Sequence, residues 1–561
     1  MRREVSVVNK KVCSFPILFA LLALLIGTCA VVFPASAQAA PISTGSITVS
    51  GTVASSYDAY QIFSANVIDG DKDAKIATDL AWASDAVRDA ALPVLHSAGM
   101  SKSQTTAQEA AEWLNTDSHL TSALSAQLAR SLQSSGAVFK ALNAGTTAEL
   151  PCGYWLIVAD DDAIAEGEAG TAPIMTLVGG SAVTVKPKAA TPKVAKHVLE
   201  DSTAAWQKAA DATVADDLYW RLSATVPAGL TAYDTYTVQF VDTMSAGLDL
   251  SKVAASMRVY VAAGADGGFD AVSAGKDGRA GTEPAKGWTD ITAQCRVSVD
   301  GKTFTVRTGD LIAALGGADA FTAGARVVAV YNAPLNSACN HGIAKGNPNE
   351  VYLRYPRSPL ADQSGDAGFT CTPSDDACAY TWDLALTKRG SDGDKPLAGA
   401  VLSIADDRGR TLAVDGTWDA EGKATVTTGE DGRVAVSGVD SGKLEVRELK
   451  APKGYTAFEG TRSVTVKAEG LDVDQVAAAK PKLTITAESP LRADSADGST
   501  GSLEVSLINS PAGTPPSIFT GGFMPSTGDM AMYAAAAAAV AGATLIVVAL
   551  LVKRGGGSHK E

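Results

Sequence analysis

The sequence predicts a mainly β protein built from tandem β-sandwich domains, the first of which carries a helical insertion. Short stretches in which apolar and polar residues alternate recur along most of the interior. Turn residues separate these stretches, consistent with 53 glycines in 561 residues. Helical periodicity is concentrated in one region, residues 77–143. At this length the chain has room for about three or four domains.

Composition and charge exclude several classes of protein. Charged residues make up 19% and hydrophobic residues 46% of the chain, which excludes a disordered polyelectrolyte. The net charge of -14 argues against a nucleic-acid partner, because phosphate binding needs a basic face. The five histidines show no paired metal spacing, so we expect no metal site and no cofactor.

The two ends of the chain predict export and a membrane anchor. Residues 1–40 have a basic start, an apolar run over 15–33 and small residues over 35–40, as in a cleaved signal peptide. The alternative is a first helix that stays in the membrane. Residues 530–552 form an uncharged apolar stretch long enough for a transmembrane helix. A basic tail, 553–561, would stay on the cytoplasmic side.

The first interior segment, residues 41–185, is predicted to be a β-sandwich with a helical insertion. Alternating residues predict strands at 46–51 and 153–158, on either side of the helical region. An apolar stripe at helical spacing runs through that region: Ala110, Trp113, Leu114, Leu120, Leu124, Leu128 and Leu132. Such a stripe is typical of core packing, not of a cofactor site.

The second segment, residues 196–362, follows a linker at 186–195. Strand-like stretches at 218–222, 237–241 and 327–331, with few helical stretches between them, predict an immunoglobulin-like sandwich.

The third segment, residues 379–512, is predicted to be all β. Its expected strands lie at 381–387, 401–404, 424–428, 434–437, 444–448, 463–467, 482–488 and 503–509. Asp-Gly and Ser-Gly pairs mark turns between them. A linker rich in proline and glycine, 513–523, follows.

Five cysteines remain once the signal peptide is removed. Cys371 and Cys378 bracket a short polar loop, so a disulfide is expected there, inside a linker at 363–378. A second bridge between Cys295 and Cys339 is expected to staple the second segment. Cys152 is then left as a small buried hydrophobic residue.

The region before the C-terminal apolar stretch resembles the sorting signal read by sortase transpeptidases of Gram-positive bacteria. That signal is Leu-Pro-x-Thr-Gly, an apolar span and a short basic tail. This chain has Met in place of Leu, in the run Met524, Pro525, Ser526, Thr527 and Gly528. The resemblance implies that a sortase cysteine attacks the Thr527 carbonyl and that Gly528 leaves. The alternative is a turn before an ordinary membrane anchor.

Residues 444–455, Leu-Glu-Val-Arg-Glu-Leu-Lys-Ala-Pro-Lys-Gly-Tyr, resemble the E-box of CnaB-type domains in sortase-assembled pilins. The resemblance implies a spontaneous isopeptide bond between Lys388 and Asn509, with Glu448 as the assisting acid. Burial would favour such chemistry, because it lowers the pKa of a lysine and raises that of a carboxylic acid. The alternative is a surface salt bridge between Lys388 and Glu448, with Asn509 as a strand-end cap.

The second segment resembles the CnaA-like middle domain of backbone pilins through residues 226–227, 236–248 and 346–349. The resemblance implies that Lys196 forms a bond with Asp242 as its acid. The family usually ends this domain on Tyr-Ser-Asn-Asn-Pro, whereas this chain has Tyr-Pro-Arg-Ser-Pro at 355–359. Either the bond is missing, leaving a buried ion pair, or an upstream residue such as Asn349 supplies the amide.

Residues 185–188, Val-Lys-Pro-Lys, resemble the pilin motif whose lysine accepts the next subunit, usually Tyr-Pro-Lys. Lys188 is therefore the expected acceptor, Lys193 competes with it, and a plain basic linker is the alternative.

Together these features identify the chain as resembling sortase-assembled backbone pilins of the FimA/SpaA type. The resemblance implies a structural pilus subunit on the Gram-positive cell wall and not an enzyme. Its implied partners are sortase, neighbouring copies of the chain, minor pilins and peptidoglycan. The alternative is a wall-anchored adhesin that binds a host ligand. A tethered hydrolase is disfavoured, because no nucleophile or paired-carboxylate site can be singled out.

Overall fold

Three successive β segments, each with two sheets, make up the part of the chain that the structure describes. The structure is a computed structural model, and it describes residues 43–513 apart from 52, 72–73, 117, 189–190, 215, 265–285, 322 and 415. The predicted mainly β fold of tandem sandwiches is confirmed. No helix among the described residues is both long and apolar enough to cross a membrane.

The first segment packs helices against one of its two sheets. Its elements are β1 (Thr44–Val49), β2 (Ser56–Asp69), β3 (Lys75–Trp82), α1 (Asp85–Ser97), α2 (Ala107–Leu114), α3 (Ser122–Ser135), β4 (Lys140–Asn143), β5 (Thr147–Pro151), β6 (Gly153–Ala159), β7 (Ile174–Val178) and β8 (Val183–Val185). The sheets have the strand orders β5-β1-β8 and β3-β2-β6-β7, and β4 also pairs with β2. The helical insertion is shorter than expected, because residues 75–82 form a strand paired with β2.

Side-chain caps fix where these helices begin. Ser84, Thr106 and Thr121 each accept a hydrogen bond from the first turn of their helix. The C-terminus of α3 is closed by Gly136 at φ 68°, in the left-handed region that glycine favours. The apolar stripe of α3 is buried in a core shared with β2 and β6, as predicted.

The second segment is a sandwich of a six-stranded and a seven-stranded sheet. Its elements are β9 (Lys193–Glu200), β10 (Ala205–Gln207), β11 (Ala209–Asp211), β12 (Tyr219–Val226), β13 (Gln239–Met244), α4 (Val253–Ser256), β14 (Arg258–Ala263), β15 (Thr289–Asp290), β16 (Arg296–Asp300), β17 (Thr303–Arg307), α5 (Leu311–Ala314), β18 (Ala325–Asn332), β19 (Asn347–Pro356), β20 (Phe369–Cys371) and β21 (Asp375–Tyr380). One sheet has the order β10-β9-β12-β18-β14-β15 and the other β11-β21-β19-β13-β17-β16, with β20 also on β19.

The expected linker at 363–378 is wrong in this fold. Residues 369–371 and 375–380 form β20 and β21, which pair with β19. In this stretch the alternation of apolar and polar residues is short and is interrupted by proline, serine and two aspartates. The sequence therefore did not predict a strand there.

The third segment is a sandwich of a four-stranded and a seven-stranded sheet. Its strands are β22 (Trp382–Gly390), β23 (Val401–Ala405), β24 (Thr411–Leu412), β25 (Trp418–Asp419), β26 (Val426–Thr427), β27 (Arg433–Val439), β28 (Gly442–Lys450), β29 (Thr461–Glu469), β30 (Lys482–Ala487), β31 (Leu491–Asp497) and β32 (Ser502–Asn509). The sheets have the orders β27-β22-β32-β31 and β25-β24-β23-β28-β29-β30, with β26 on β23. The first and last strands, β22 and β32, are parallel neighbours, which brings the two ends of the segment together.

Candidate functional site

The interior of the third segment holds the lysine, glutamate and asparagine singled out by the sequence. Lys388 lies on β22 and Asn509 lies at the end of the parallel strand β32. Lys388 pairs with Leu507, so Asn509 is two residues further along β32. Glu448 reaches them from β28 in the opposite sheet. The side chains of Lys388 and Glu448 are 0% exposed. The expectation of a shared location is therefore met, and a surface salt bridge is excluded.

Direct contacts join the acid to both other groups. The Lys388 Nζ lies 3.4 Å from the Glu448 Oε1. The Asn509 Nδ2 donates to Glu448 Oε1 at 2.8 Å and to Oε2 at 3.0 Å. The backbone N–H of Phe458 also donates to Glu448, at 3.1 Å. The buried Oδ1 of Asn509 has no hydrogen-bond partner within the described residues.

Burial prepares Lys388 to act as a nucleophile. Desolvation lowers the pKa of Lys388 from 10.5 to about 8, and the nearby Glu448 carboxylate only partly opposes that change. A substantial fraction of the amine is therefore neutral near physiological pH, with a lone pair available. This arrangement places an amine, a carboxyl group and a side-chain amide where amide exchange is chemically possible.

A second buried cluster lies in the interior of the second segment. Lys196 on β9 forms an ion pair with Asp242 on β13, across the sandwich, and both side chains are 0% exposed. Tyr331 on β18 lies between them: its hydroxyl accepts from the Lys196 Nζ at 2.9 Å and donates to the Asp242 Oδ2 at 3.0 Å. Asn349 on β19 donates from Nδ2 to the same hydroxyl at 2.9 Å.

The electrostatics of the second cluster resemble those of the first. Burial lowers the pKa of Lys196 from 10.5 to about 8, while Asp242 opposes the change. Burial likewise raises the pKa of Asp242, opposed by Lys196 and by the Tyr331 hydroxyl. Both shifts favour the neutral forms of the amine and of the carboxyl group over their charged forms.

Sequence reasoning found part of this second cluster. It singled out Lys196 and Asp242 and left Asn349 as one of two alternatives, and the structure brings all three together. Residues 355–359 lie beyond this cluster: the Tyr355 hydroxyl donates to Gly167 O at 2.8 Å, toward the first segment. Tyr331 was missed, and the available signal was a polar-tipped aromatic ring that follows four aliphatic residues, 327–330, in a buried strand.

The two lysines proposed as acceptors are both exposed. Lys188 follows β8 in the stretch between the first two segments, and Lys193 is the first residue of β9. The Lys193 backbone N–H donates to Thr225 Oγ1 at 3.0 Å, so its backbone is held in the sheet. The expected signal peptide at 1–40, the sorting motif expected at 524–528 and the apolar stretch at 530–552 lie outside the described residues.

The expected disulfides are wrong in this structure, in which Cys152, Cys295, Cys339, Cys371 and Cys378 are all free. Cys371 pairs with Arg354 and Cys378 with Pro348, six positions apart along β19. At about 3.4 Å per residue this separation is ~20 Å, far beyond the ~7 Å between Cα atoms that a disulfide can bridge. Cys152 is a buried member of a small apolar cluster, as expected.

The Cys295 and Cys339 thiols have separate polar partners. The Cys295 Sγ donates to Ile291 O at 3.3 Å, whereas the Cys339 Sγ lies 3.7 Å from His341 Nε2. Among the described residues, no group of three or more His, Cys, Asp or Glu side chains is placed to hold a metal ion.

Comparison with known proteins gives matches to surface proteins and pilins. The SpaA family of prealbumin-like fold domains matches residues 383–480. The trypsin-resistant surface T6 protein of Streptococcus pyogenes serotype M6 is 30% identical over 143 residues. That match spans 24% of this chain and 24% of the relative, so about a quarter of the relative's length is covered.

Solved structures of pilins are among those similar to this chain, at low identity. The T6 backbone pilin of S. pyogenes serotype M6 gives a TM-score of 0.45 at 17% identity, covering 84% of this chain and 98% of that one. The major pilin SpaD of Corynebacterium diphtheriae gives 0.40 at 16% identity, with coverages of 84% and 98%. The residues that match the SpaA family, 383–480, include Lys388 and Glu448.

Proposed function

We propose that this chain is the backbone subunit of a covalent surface pilus, polymerised by a sortase and stiffened by isopeptide bonds inside its second and third segments. The observation that carries the proposal is the repeated burial of a lysine, a carboxylic acid and an asparagine in two successive β-sandwiches. Burying a lysine and a carboxylate together carries a large desolvation cost, so two such clusters in tandem need a chemical reason.

The reaction in the third segment needs no co-reactant: the lysine and asparagine side chains supply all atoms of the new amide and of the ammonia that leaves. The neutral Lys388 Nζ attacks the Asn509 Cγ, and a new C–N bond forms. A 180° flip of the Asn509 side-chain amide exchanges the positions of Oδ1 and Nδ2. The protonated Glu448 can then donate a hydrogen bond to the amide oxygen. The bond from Cγ to Nδ2 then breaks. The proton lost by Nζ passes through Glu448 to the leaving nitrogen, and ammonia departs.

The second segment supports the same reaction between Lys196 and Asn349, with Asp242 as the acid. Asn349 is fully buried, and its Oδ1 has no hydrogen-bond partner in the described part of the chain. A buried carbonyl oxygen without a partner costs roughly 1–3 kcal/mol. Conversion to a cross-link would replace the buried ion pair of Lys196 and Asp242 by a neutral amide.

Polymerisation would join the Thr527 carbonyl of one subunit to the Lys188 Nζ of the next. Lys188 is exposed and residues 186–188 belong to neither a helix nor a strand, so an enzyme can reach it. Neighbouring copies, sortase, minor pilins and peptidoglycan are the partners of this assembly. The relative's trypsin resistance fits a cross-linked subunit, because a cross-link keeps cut or locally opened chains together.

The test of pilus function is the polymer itself. The chain is co-expressed with a sortase in a Gram-positive host, and wall extracts are run on denaturing gels. Lys188→Ala should abolish the high-mass ladder, while the matched exposed-lysine variants Lys186→Ala and Lys193→Ala should keep it. A ladder that survives Lys188→Ala would overturn the assigned linkage, and a wall-anchored monomer in the unsubstituted chain would favour the adhesin.

A further inference from the structure

The Tyr331 hydroxyl is the point at which the second buried cluster converges. It accepts from the Lys196 Nζ at 2.9 Å and from the Asn349 Nδ2 at 2.9 Å, and it donates to the Asp242 Oδ2 at 3.0 Å. A phenol has one proton to donate and two lone pairs, so these three contacts use its full hydrogen-bonding capacity. One oxygen atom thus contacts the amine, the acid and the amide.

In the third segment the asparagine amide contacts the acid directly, with no tyrosine hydroxyl between them. There the Asn509 Nδ2 donates directly to both carboxylate oxygens of Glu448, at 2.8 and 3.0 Å. The acid of the second segment is aspartate, which is one methylene shorter than glutamate. The Asn349 Nδ2 instead meets the Tyr331 hydroxyl, and that hydroxyl meets the Asp242 carboxylate.

We propose that Tyr331 is a catalytic residue of the second segment, whose hydroxyl relays protons between Asp242 and the reacting lysine and asparagine. The inference rests on the proposed Lys196–Asn349 bond and deepens it. As Nζ bonds to Cγ, Nζ releases one proton to the Asp242–Tyr331 pair. The same pair delivers one proton to Nδ2 when the Cγ–Nδ2 bond breaks, so ammonia leaves and both relay groups regain their starting states.

The surroundings of Tyr331 suit a relay that begins and ends neutral. Its side chain is fully buried and its ring packs edge-on against Phe304, with ring centroids 4.9 Å apart. Burial and the adjacent Asp242 raise the pKa of Tyr331 well above 10, so the phenol keeps its proton at rest. The fixed ring holds the hydroxyl between two strands of opposite sheets, β13 and β18.

The experiment follows bond formation in the full chain during cell-free synthesis without sortase. Samples are quenched in acid denaturant, digested and analysed by mass spectrometry for the branched peptides joining Lys196 to Asn349 and Lys388 to Asn509. Tyr331→Phe should slow the first bond at least tenfold and leave the second unchanged. Tyr355→Phe is the matched control, since it removes another buried hydroxyl of the same segment that contacts Gly167.

A rescue variant separates proton relay from a structural role. Tyr331→Phe combined with Asp242→Glu lengthens the acid by one methylene, as in the third segment, and should recover at least part of the lost rate. Rates are normalised to the protease-resistant fraction, so a loss of folded protein does not count as a loss of chemistry. The relay also predicts that the pH profile of the slow variant differs in shape from that of the unsubstituted chain.

The outcomes distinguish the two proposals. An absent Lys196–Asn349 peptide in the unsubstituted chain overturns the proposed second bond and the relay with it. A bond that forms equally fast with Tyr331→Phe overturns the relay alone. Slowing without rescue, with an unchanged pH profile, would assign Tyr331 a packing role and likewise reject the relay.

Discussion

Replacing Lys388 by methionine should strip the third segment of a large part of its thermal stability. Methionine has a similar length and no amine, so the cavity stays filled while the proposed bond to Asn509 cannot form. The bond would close a loop of ~120 residues, and the chain-entropy relation for such a loop gives about 5 kcal/mol through the unfolded state. For a domain of this size, about 5 kcal/mol corresponds to a fall in Tm of roughly 15–25 °C.

Two measurements on the full chain test this magnitude. Calorimetry should show one transition moving down by that amount in Lys388→Met. Mass spectrometry should show that each proposed bond in the unsubstituted chain lowers its mass by ~17 Da, the mass of ammonia lost with each amide exchange. The control is Lys467→Met, which alters a lysine of the same segment with a side chain 65% exposed. Its effect on stability should stay within about 0.5 kcal/mol.

Two results would refute the reasoning. Intact masses of the unsubstituted chain and its tryptic peptides that equal the sequence mass would show that no bond forms. A Lys388→Met transition within a few degrees of the unsubstituted one would show that the bond does not constrain the unfolded chain as the loop argument requires.

Three further predictions follow from the geometry and the charges. Asn509→Ala blocks the bond and leaves Lys388 with a folded-state pKa of about 8 against 10.5 unfolded. Between these two pKa values the unfolded state binds more protons than the folded state. The free energy of unfolding, measured by denaturant titration, should therefore rise by about 3 kcal/mol from pH 8 to 10.5. A free energy of unfolding that does not change with pH would contradict the lowered pKa of Lys388. In the Asn349→Ala variant, trypsin should cut the second segment before the third. If the second segment survives trypsin equally long in the variant and in the unsubstituted chain, the second bond is contradicted. Denatured without reductant, the mature chain should take up five equivalents of iodoacetamide, because its cysteines are free; uptake of three or one would restore a disulfide.

The third segment was predictable from sequence because its strands alternate strongly and its site residues lie at strand positions. Lys388, Glu448 and Asn509 fall on the first, a central and the last main strand, so closing the sandwich brings them together. The strand β31 was missed: Leu491–Asp497 carries arginine, aspartate and serine on an exposed face, with little alternation to reveal it.

Two further errors, the expected Cys371–Cys378 disulfide and the missed Tyr331, have a common physical origin: sequence distance is a poor guide to spatial distance in a sheet. Cys371 and Cys378 are close along the chain, yet each pairs with a different end of β19. Conversely, Tyr331 and Asn349 are separated by a long loop and meet because β18 and β19 face each other across the sandwich. Alternation within a strand indicates which face each side chain takes, but it does not identify the strand that will lie opposite in the other sheet.

The order of the proposed bonds along the chain explains which segments need them. In the proposed polymer, tension would enter each subunit at Lys188 and leave through Thr527. The first segment lies before Lys188 and is therefore outside the path of force, so it gains no mechanical advantage from a cross-link. The two bonds would shorten that path by carrying force directly from Lys196 to Asn349 and from Lys388 to Asn509.

Residues 350–387 lie between the two proposed bonds, so only non-covalent contacts would keep this stretch folded under load. The structure places many contacts there: β21 is paired with both β19 and β11. At the boundary with the third segment, the Trp382 Nε1 donates to Asp211 at 2.6 Å and His341 lies 2.7 Å from Asp383. Extension of this stretch would have to break the hydrogen bonds of these strand pairs and the buried Trp382–Asp211 hydrogen bond. The stretch without a cross-link is thus protected by pairing within the second segment and by contacts with the third.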